Sequence, residues 1–325
     1  LKAALWCKVN RDPDVVRASD WGVDWGDHGL WHWQGQGCHW RRIGDPAHPP
    51  LVLIHGFGAG SGHWRHNAGA FAAAGWQVYA MDLLGFGDSS QPWLRLDNRL
   101  WARQLGAFLD EVVQGPAVLV GHSLGGLVAL TCAVHFPDRV LAVAAVPLPD
   151  PALLMAKMGG LGGSPRQAPW RRRLKRLIVN LLCRLLPLEV IVPLLVHSPL
   201  LDLGLQSAYD NPIIGDRELR RVISRPARRP GAVRALRAMS IAMPLRPHHA
   251  TAPALLTRLN QPLLLIWGRQ DGLVPLEVAL QCRRWRPLTP LVVLDQAGHC
   301  PHDERPPIFN QTLLEWLASL PPAHA

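Results

Sequence analysis

Ala117-Val118-Leu119-Val120-Gly121-His122-Ser123-Leu124-Gly125-Gly126 is the stretch on which the fold turns. Its first half is a short apolar run bounded by glycine, the pattern of a buried strand, and Leu124–His135 that follows has helix length and composition. A strand handed so directly to a helix requires a tight turn at Ser123. Glycines on both sides of that turn leave it the space that side chains would fill. Such a turn projects the Ser123 hydroxyl above a sheet. An incidental serine in a glycine-rich turn is the plainer reading, and the strand-turn-helix setting argues against it.

The rest of the chain repeats this rhythm. Leu51–His55, Trp76–Asp82 and Val140–Val146 read as further buried parallel strands, joined by helix-length amphipathic stretches. Strand-like runs resume at Pro262–Gly268 and Pro290–Leu294, with helices expected over Pro275–Trp285 and Pro306–Leu320. Trp31–Trp40, with Gly35 and Gly37 between apolar positions, suggests an antiparallel hairpin leading in. The pattern is an α/β fold with a mostly parallel central sheet, helices on both faces and one inserted helical segment. We expect core at 1–149 and 259–325 and a helical cap at 150–258.

Charge isolates the same insertion. The 325 residues are 48% hydrophobic and 18% charged, enough to bury a large core, with a net charge of +10. Pro151–Arg258 holds 18 basic and 5 acidic residues, so it carries +13 and the remainder −3. Six cysteines stand far apart without a C-x-x-C pair, which points to a reducing, cytoplasmic setting, peripheral to an internal membrane if the basic cap touches one. Leu1–Asp20 interleaves charges with apolar residues and lacks the apolar core of a secretory signal; with no initiator Met, a trimmed start is expected.

A serine hydroxyl is a weak nucleophile and needs a base, itself oriented by a carboxylate. His299, in Asp295-Gln296-Ala297-Gly298-His299, follows a strand end and is the candidate base. Asp271, in Trp267-Gly268-Arg269-Gln270-Asp271, follows another strand end and is the candidate acid, with Asp150 and Asp295 as possible substitutes. The order Ser, Asp, His is that of the α/β-hydrolase fold. Negative charge developing on a substrate carbonyl needs backbone N–H donors. His55-Gly56-Phe57-Gly58 places the Phe57 N–H beside the turn, and the Leu124 N–H at the start of its helix is the second donor. Asp82-Leu83-Leu84-Gly85-Phe86-Gly87-Asp88-Ser89 reads as a structural loop, with no catalytic role for Asp82 or Asp88. Serine at 123 excludes the fold's dehalogenases and epoxide hydrolases, which form their ester on an aspartate.

HGFGAGSGHWRHN (His55–Asn67), YAMDLLGFGDS (Tyr79–Ser89), GHSLGG (Gly121–Gly126) and GHCPHDE (Gly298–Glu304) together resemble the pheophytinase and chlorophyll dephytylase group of α/β-hydrolases. The resemblance spans Trp31 to about Pro149 and Gln261 to the C-terminus. It implies Ser123 as nucleophile, Asp271 as acid, His299 as base, Phe57 and Leu124 as oxyanion donors, and a phytyl ester of a chlorophyll-type pigment as substrate. The chain departs from that group at His122, where Asn is usual, and matches it loosely over Trp267–Pro275.

Within Trp170–Leu186, apolar residues recur at helical spacing while Arg171, Arg172, Arg173, Lys175, Arg176 and Arg184 fall mainly on the other faces. Such a helix suits a membrane interface, each basic residue contributing about 1 kcal/mol on anionic headgroups. Alternatively it packs its apolar stripe on the core and solvates its charges. Leu185–Leu205 is interrupted by Pro187, Glu189, Pro193, His197 and Pro199 and makes no transmembrane helix. No nucleic-acid-reading module accompanies the arginines, so nucleic acid is not an expected partner. Neither His248-His249 nor His299 with His302 has a carboxylate or thiolate set at ligand spacing, and no metal or cofactor is expected. The expected partner is a hydrophobic small-molecule ester. Carbon–carbon bond hydrolysis or cofactor-free perhydrolysis by the same residues, and tetrapyrrole binding without turnover, are the alternatives.

Overall fold

The structure is a computed structural model that describes residues 25–155 and 169–321. The expectation for Leu1–Asp20 and the side chains of residues 170–173 lie outside what it describes. Eight strands form one sheet: β1 (Asp27–Trp33), β2 (Gln36–Ile43), β3 (Pro50–Ile54), β4 (Gln77–Met81), β5 (Ala117–His122), β6 (Val140–Val146), β7 (Leu263–Gly268) and β8 (Leu291–Leu294). They lie in the order β1-β2-β4-β3-β5-β6-β7-β8. From β4 to β8 every neighbouring pair is parallel, while β1 pairs with β2 and β2 with β4 antiparallel. The hairpin β1–β2 turns through Gln34 and Gly35, at φ of 51° and 74°. Two left-handed residues are what a two-residue hairpin turn with matching twist requires.

The continuous apolar runs follow from burial on both faces. On β3, Val52 and Ile54 enter one core and Leu51 and Leu53 the other; on β7, Leu265 and Trp267 oppose Leu264 and Ile266. The first core is closed by α2 (Asn98–Phe108), α3 (Leu124–His135), α10 (Ala252–Leu256) and α11 (Leu276–Trp285), the second by α1 (Ala68–Ala73) and α13 (Pro306–Ala318). Asp97 starts α2 by accepting hydrogen bonds from the Arg99 and Leu100 N–H groups. A four-residue helix, α12 (Pro301–Glu304), precedes α13.

Between β6 and β7 the chain leaves the sheet. It forms α4 (Pro151–Met155), then α5 (Pro169–Leu185), α6 (Leu188–His197), α7 (Leu200–Gln206), α8 (Arg217–Arg228) and α9 (Ala232–Ala242), the helical insertion. The expected amphipathic helix at Trp170–Leu186 is α5. Two threads tie the insertion to the loop carrying His299: the His299 N–H donates to the Ala208 carbonyl (2.8 Å), and the Glu304 carboxylate accepts from the N–H groups of Asp210 (2.8 Å) and Gly298 (2.7 Å).

Candidate active site

At the end of β5 the backbone turns so sharply that Ser123 takes φ 51° and ψ −116°. The Ser123 carbonyl accepts from the Gly126 N–H (2.8 Å), opening α3, while its own N–H donates to the Val146 carbonyl (2.8 Å). The flanking glycines are sterically required. A Cβ at Gly121 would stand 2.3 Å from the Gly125 carbonyl oxygen, and one at Gly125 would stand 2.2 Å from that of Ile54. The turn thus locks β3, β5 and α3 against one another.

Sheet order then brings two distant loops to this serine. Asp271 follows β7 and His299 follows β8, so both leave the same end of the sheet as Ser123. Asp271 accepts from the Leu273 N–H (2.9 Å) and the Val274 N–H (2.8 Å) through Oδ1. Its Oδ2 lies 2.9 Å from His299 Nδ1. His299 Nε2 in turn lies 2.9 Å from Ser123 Oγ. With Nδ1–H donating to the carboxylate, Nε2 is the ring's acceptor and takes the hydroxyl hydrogen bond. All three side chains are buried.

The two acids left open as substitutes are engaged elsewhere. Asp150 pairs with Arg246 (2.6 Å) and accepts from the Ala252 N–H, and Asp295 pairs with Arg269 on the exposed surface. Asp82 is a structural hub: its carboxylate accepts from the Ser61 N–H (2.5 Å), the Asp88 N–H (2.9 Å) and His39. Burial opposes its charge, yet the hydrogen bond and charge of His39 outweigh that and hold it well below the usual carboxylate range. Asp88 is pushed up to about 6 by burial and by Asp82.

Leu124 directly follows the serine, and Phe57 belongs to the loop packed against it. Leu124 is the first residue of α3, so its N–H has no intrahelical acceptor. Gly56, just before Phe57, packs so closely that a Cβ there would lie 3.3 Å from the Ser123 Cβ. The Phe57 ring is 56% exposed and meets Phe86 edge-on at 5.7 Å. These rings, with Val192 of α6 and Ala232 and Leu236 of α9, line an apolar groove with an empty volume of about 400 Å³.

Four histidines missing from the expected site support it. His55 Nδ1–H donates to the Gly56 carbonyl (2.7 Å) and its Nε2 accepts from the Leu83 N–H (3.1 Å), bracing the Phe57 loop. His122 Nε2–H donates to the carbonyl of His299 (3.0 Å), bracing that residue. Behind them His63 and His302 stack edge-on at 4.6 Å, and His302 lies 4.5 Å from His122. Burial lowers all four, His63 to about 4, so they are neutral at pH 7. The ligand group that the fold assembles around His302 does not include His299, the neighbour considered with it in the sequence. His302 joins His63 and His122, with ligand nitrogens all within 4.8 Å of one another, a group that could hold a metal ion or an ordered water. His39, Asp82 and Asp88 form a second such group.

Neighbouring contacts join two of the quoted motifs in space. Arg65 of GSGHWRHN pairs with Asp303 of GHCPHDE (3.0 Å), and Asn67 Nδ2 donates to the His302 carbonyl (2.9 Å). They are two sides of one buried joint.

Comparison with known proteins agrees with this fold. A family profile described as alpha/beta hydrolase fold matches residues 49–306. The chain is 30% identical over 82% of its length to a 2-hydroxy-6-oxononadienedioate/2-hydroxy-6-oxononatrienedioate hydrolase of Paraburkholderia phymatum, covering 86% of that protein. It is 29% identical over 81% of its length to a pimeloyl-[acyl-carrier protein] methyl ester esterase of Vibrio campbellii, covering 91% of it. A thermophilic esterase from Thermogutta terrifontis superposes with a TM-score of 0.66 at 21% identity, over 91% of this chain and 99% of that one. With its sheet order, its strand-turn-helix serine and a match over most of its length, the chain belongs to the alpha/beta hydrolase fold family.

Proposed function

We propose that this protein hydrolyses a carboxylic ester of a bulky hydrophobic compound, with Ser123 as nucleophile, His299 as base and Asp271 as orienting acid. The observation that carries this is the chain of 2.9 Å hydrogen bonds from Ser123 through His299 to Asp271. His299 Nε2 takes the Ser123 proton as Oγ attacks the ester carbonyl. The oxyanion formed is held by the N–H groups of Phe57 and Leu124. Collapse releases the alcohol with the proton from His299, leaving an acyl-serine. Water activated by the same imidazole then attacks the acyl carbon, and the acid leaves.

For the substrate we propose a phytyl ester of a chlorophyll-type pigment. This rests on HGFGAGSGHWRHN and GHCPHDE and on the apolar groove beside Phe57; the relatives described above are named for other substrates. A second reading, carbon–carbon bond hydrolysis by the same three residues, is favoured by the similarity to the oxononadienedioate hydrolase. Both are read in one experiment. Wild type and Ser123→Ala are incubated with p-nitrophenyl esters, pheophytin, chlorophyll and a 2-hydroxy-6-oxo-dienoate, and the products are separated by chromatography. We expect free phytol from wild type and a loss of at least ~10⁴-fold in Ser123→Ala. Full esterase activity in Ser123→Ala would exclude the mechanism. Cleavage of the dienoate alone would select the second reading, and pigment retained without turnover would select a binding protein.

A further inference from the structure

On α5, Leu174, Leu177, Ile178, Leu181, Leu182 and Leu185 lie along one side, and an ordinary cap helix would turn that side inward. Here it faces out. Leu177, Leu181 and Leu185 are 65%, 54% and 68% exposed, while Val179, Asn180 and Cys183 on the opposite side are half-buried. α6 repeats the inversion: Val196 is buried, whereas Val190 and Leu194 are 58% and 65% exposed. Leu200 and Leu203 of α7 extend the outward apolar surface.

The charges around this surface select its occupant. At 3.6 residues per turn, Lys175 and Arg184 stand on the two edges of the α5 stripe, and both are exposed. From Pro169 to Gln206 the sequence holds six basic and two acidic residues. Both acids are neutralised from neighbouring helices, Glu189 by Arg237 and Asp202 by Arg220, each at 2.6 Å. An apolar strip edged by cations matches the layered chemistry of an anionic bilayer surface, apolar chains below and negative headgroups above.

We propose that the outward face of α5, α6 and α7 docks this protein on an anionic lipid bilayer. No single described helix is long and apolar enough to cross a membrane; α5 and α6 reach that length and hydropathy only as a pair bent by 54°. The exposed Lys175 and Arg184 along the edges of the α5 stripe favour a face that lies along the surface. α6 serves both the docking face and the groove, because Val192 lines the groove beside Phe57 while Val190 and Leu194 face outward. That coupling rests on the hydrolase reading; docking itself does not.

The test is flotation of the full chain with vesicles of phosphatidylcholine alone and with phosphatidylglycerol added, performed on wild type and on Ser123→Ala so that docking and hydrolysis are read apart. Both should float with the anionic vesicles and remain behind with the neutral ones. Arg184→Ala should weaken binding about fivefold. Leu181→Asp with Leu185→Asp should weaken it ~tenfold or more, with circular dichroism and thermal midpoint unchanged because both side chains are exposed. Failure of the wild type to float with either vesicle overturns the proposal, as does flotation of the double variant equal to that of the wild type. A dimer in sedimentation that the double variant splits, with no flotation, gives the face to a second copy of this chain instead.

Discussion

Ser123 holds a left-handed φ that a side-chain-bearing residue adopts only when its surroundings impose it. What imposes it is contact between backbones, made possible by Gly121 and Gly125. Gly125→Ala drives a methyl group to 2.2 Å from the Ile54 carbonyl oxygen, where the first turn of α3 meets the end of β3 and the contacts are with backbone. We expect a loss of about 3 kcal/mol or more in urea unfolding, or no folded protein. Gly69 in α1 is the control, since a Cβ there meets nothing within 4 Å. Gly69→Ala should stabilise by about 0.5–1 kcal/mol, the ordinary helix-propensity difference. The same comparison separates glycines that shape the serine turn from one that merely occupies a helix.

Between elements, the joint of the His63–Asn67 turn with α12 and α8 holds the loop that carries His299 in register with the sheet. Arg65 is its centre, with a buried side chain that bonds Asp303 at 3.0 Å and Asp216 at 2.6 Å, and Asp216 also begins α8 by accepting from the Leu219 N–H. Removing the guanidinium leaves the Asp303 carboxylate buried without its main partner, because among the described residues Tyr209 and the two nearby histidines are what remains around it. Arg65→Ala should therefore cost about 3–5 kcal/mol. The double variant with Asp303→Ala should cost less than the sum of the two single changes, a difference that a double-mutant cycle in urea measures directly.

Taken together, the buried imidazoles give the protein an acid limit. His55, His63, His122 and His302 are kept neutral in the folded state by burial, whereas the unfolded chain protonates them near the ordinary value of 6.5. Below that value the unfolded state binds more protons, so stability falls as pH falls, by about 1.4 kcal/mol per pH unit for each such group. For His63 the loss runs from 6.5 down to about 4 and then levels off. Urea midpoints measured from about pH 7 to about pH 4 should show this decline, and His63→Gln should make it shallower by the share of one group, leaving that of the other three histidines. The strands, the serine turn, the glycine-rich loop at Phe57 and the amphipathic α5 were all legible in the amino-acid string, because each is a local pattern: a short continuous apolar run, a period of 3.6 or a required glycine. Pairings across the fold were not. That Asp271 and neither Asp150 nor Asp295 meets His299, and that His302 turns to His63 and His122, depends on strand order joining residues 28 to 239 positions apart. The direction of the α5 stripe was equally hidden. Periodicity reveals that a helix has an apolar side, but only its neighbours decide whether that side is covered, and here α9 covers the other one.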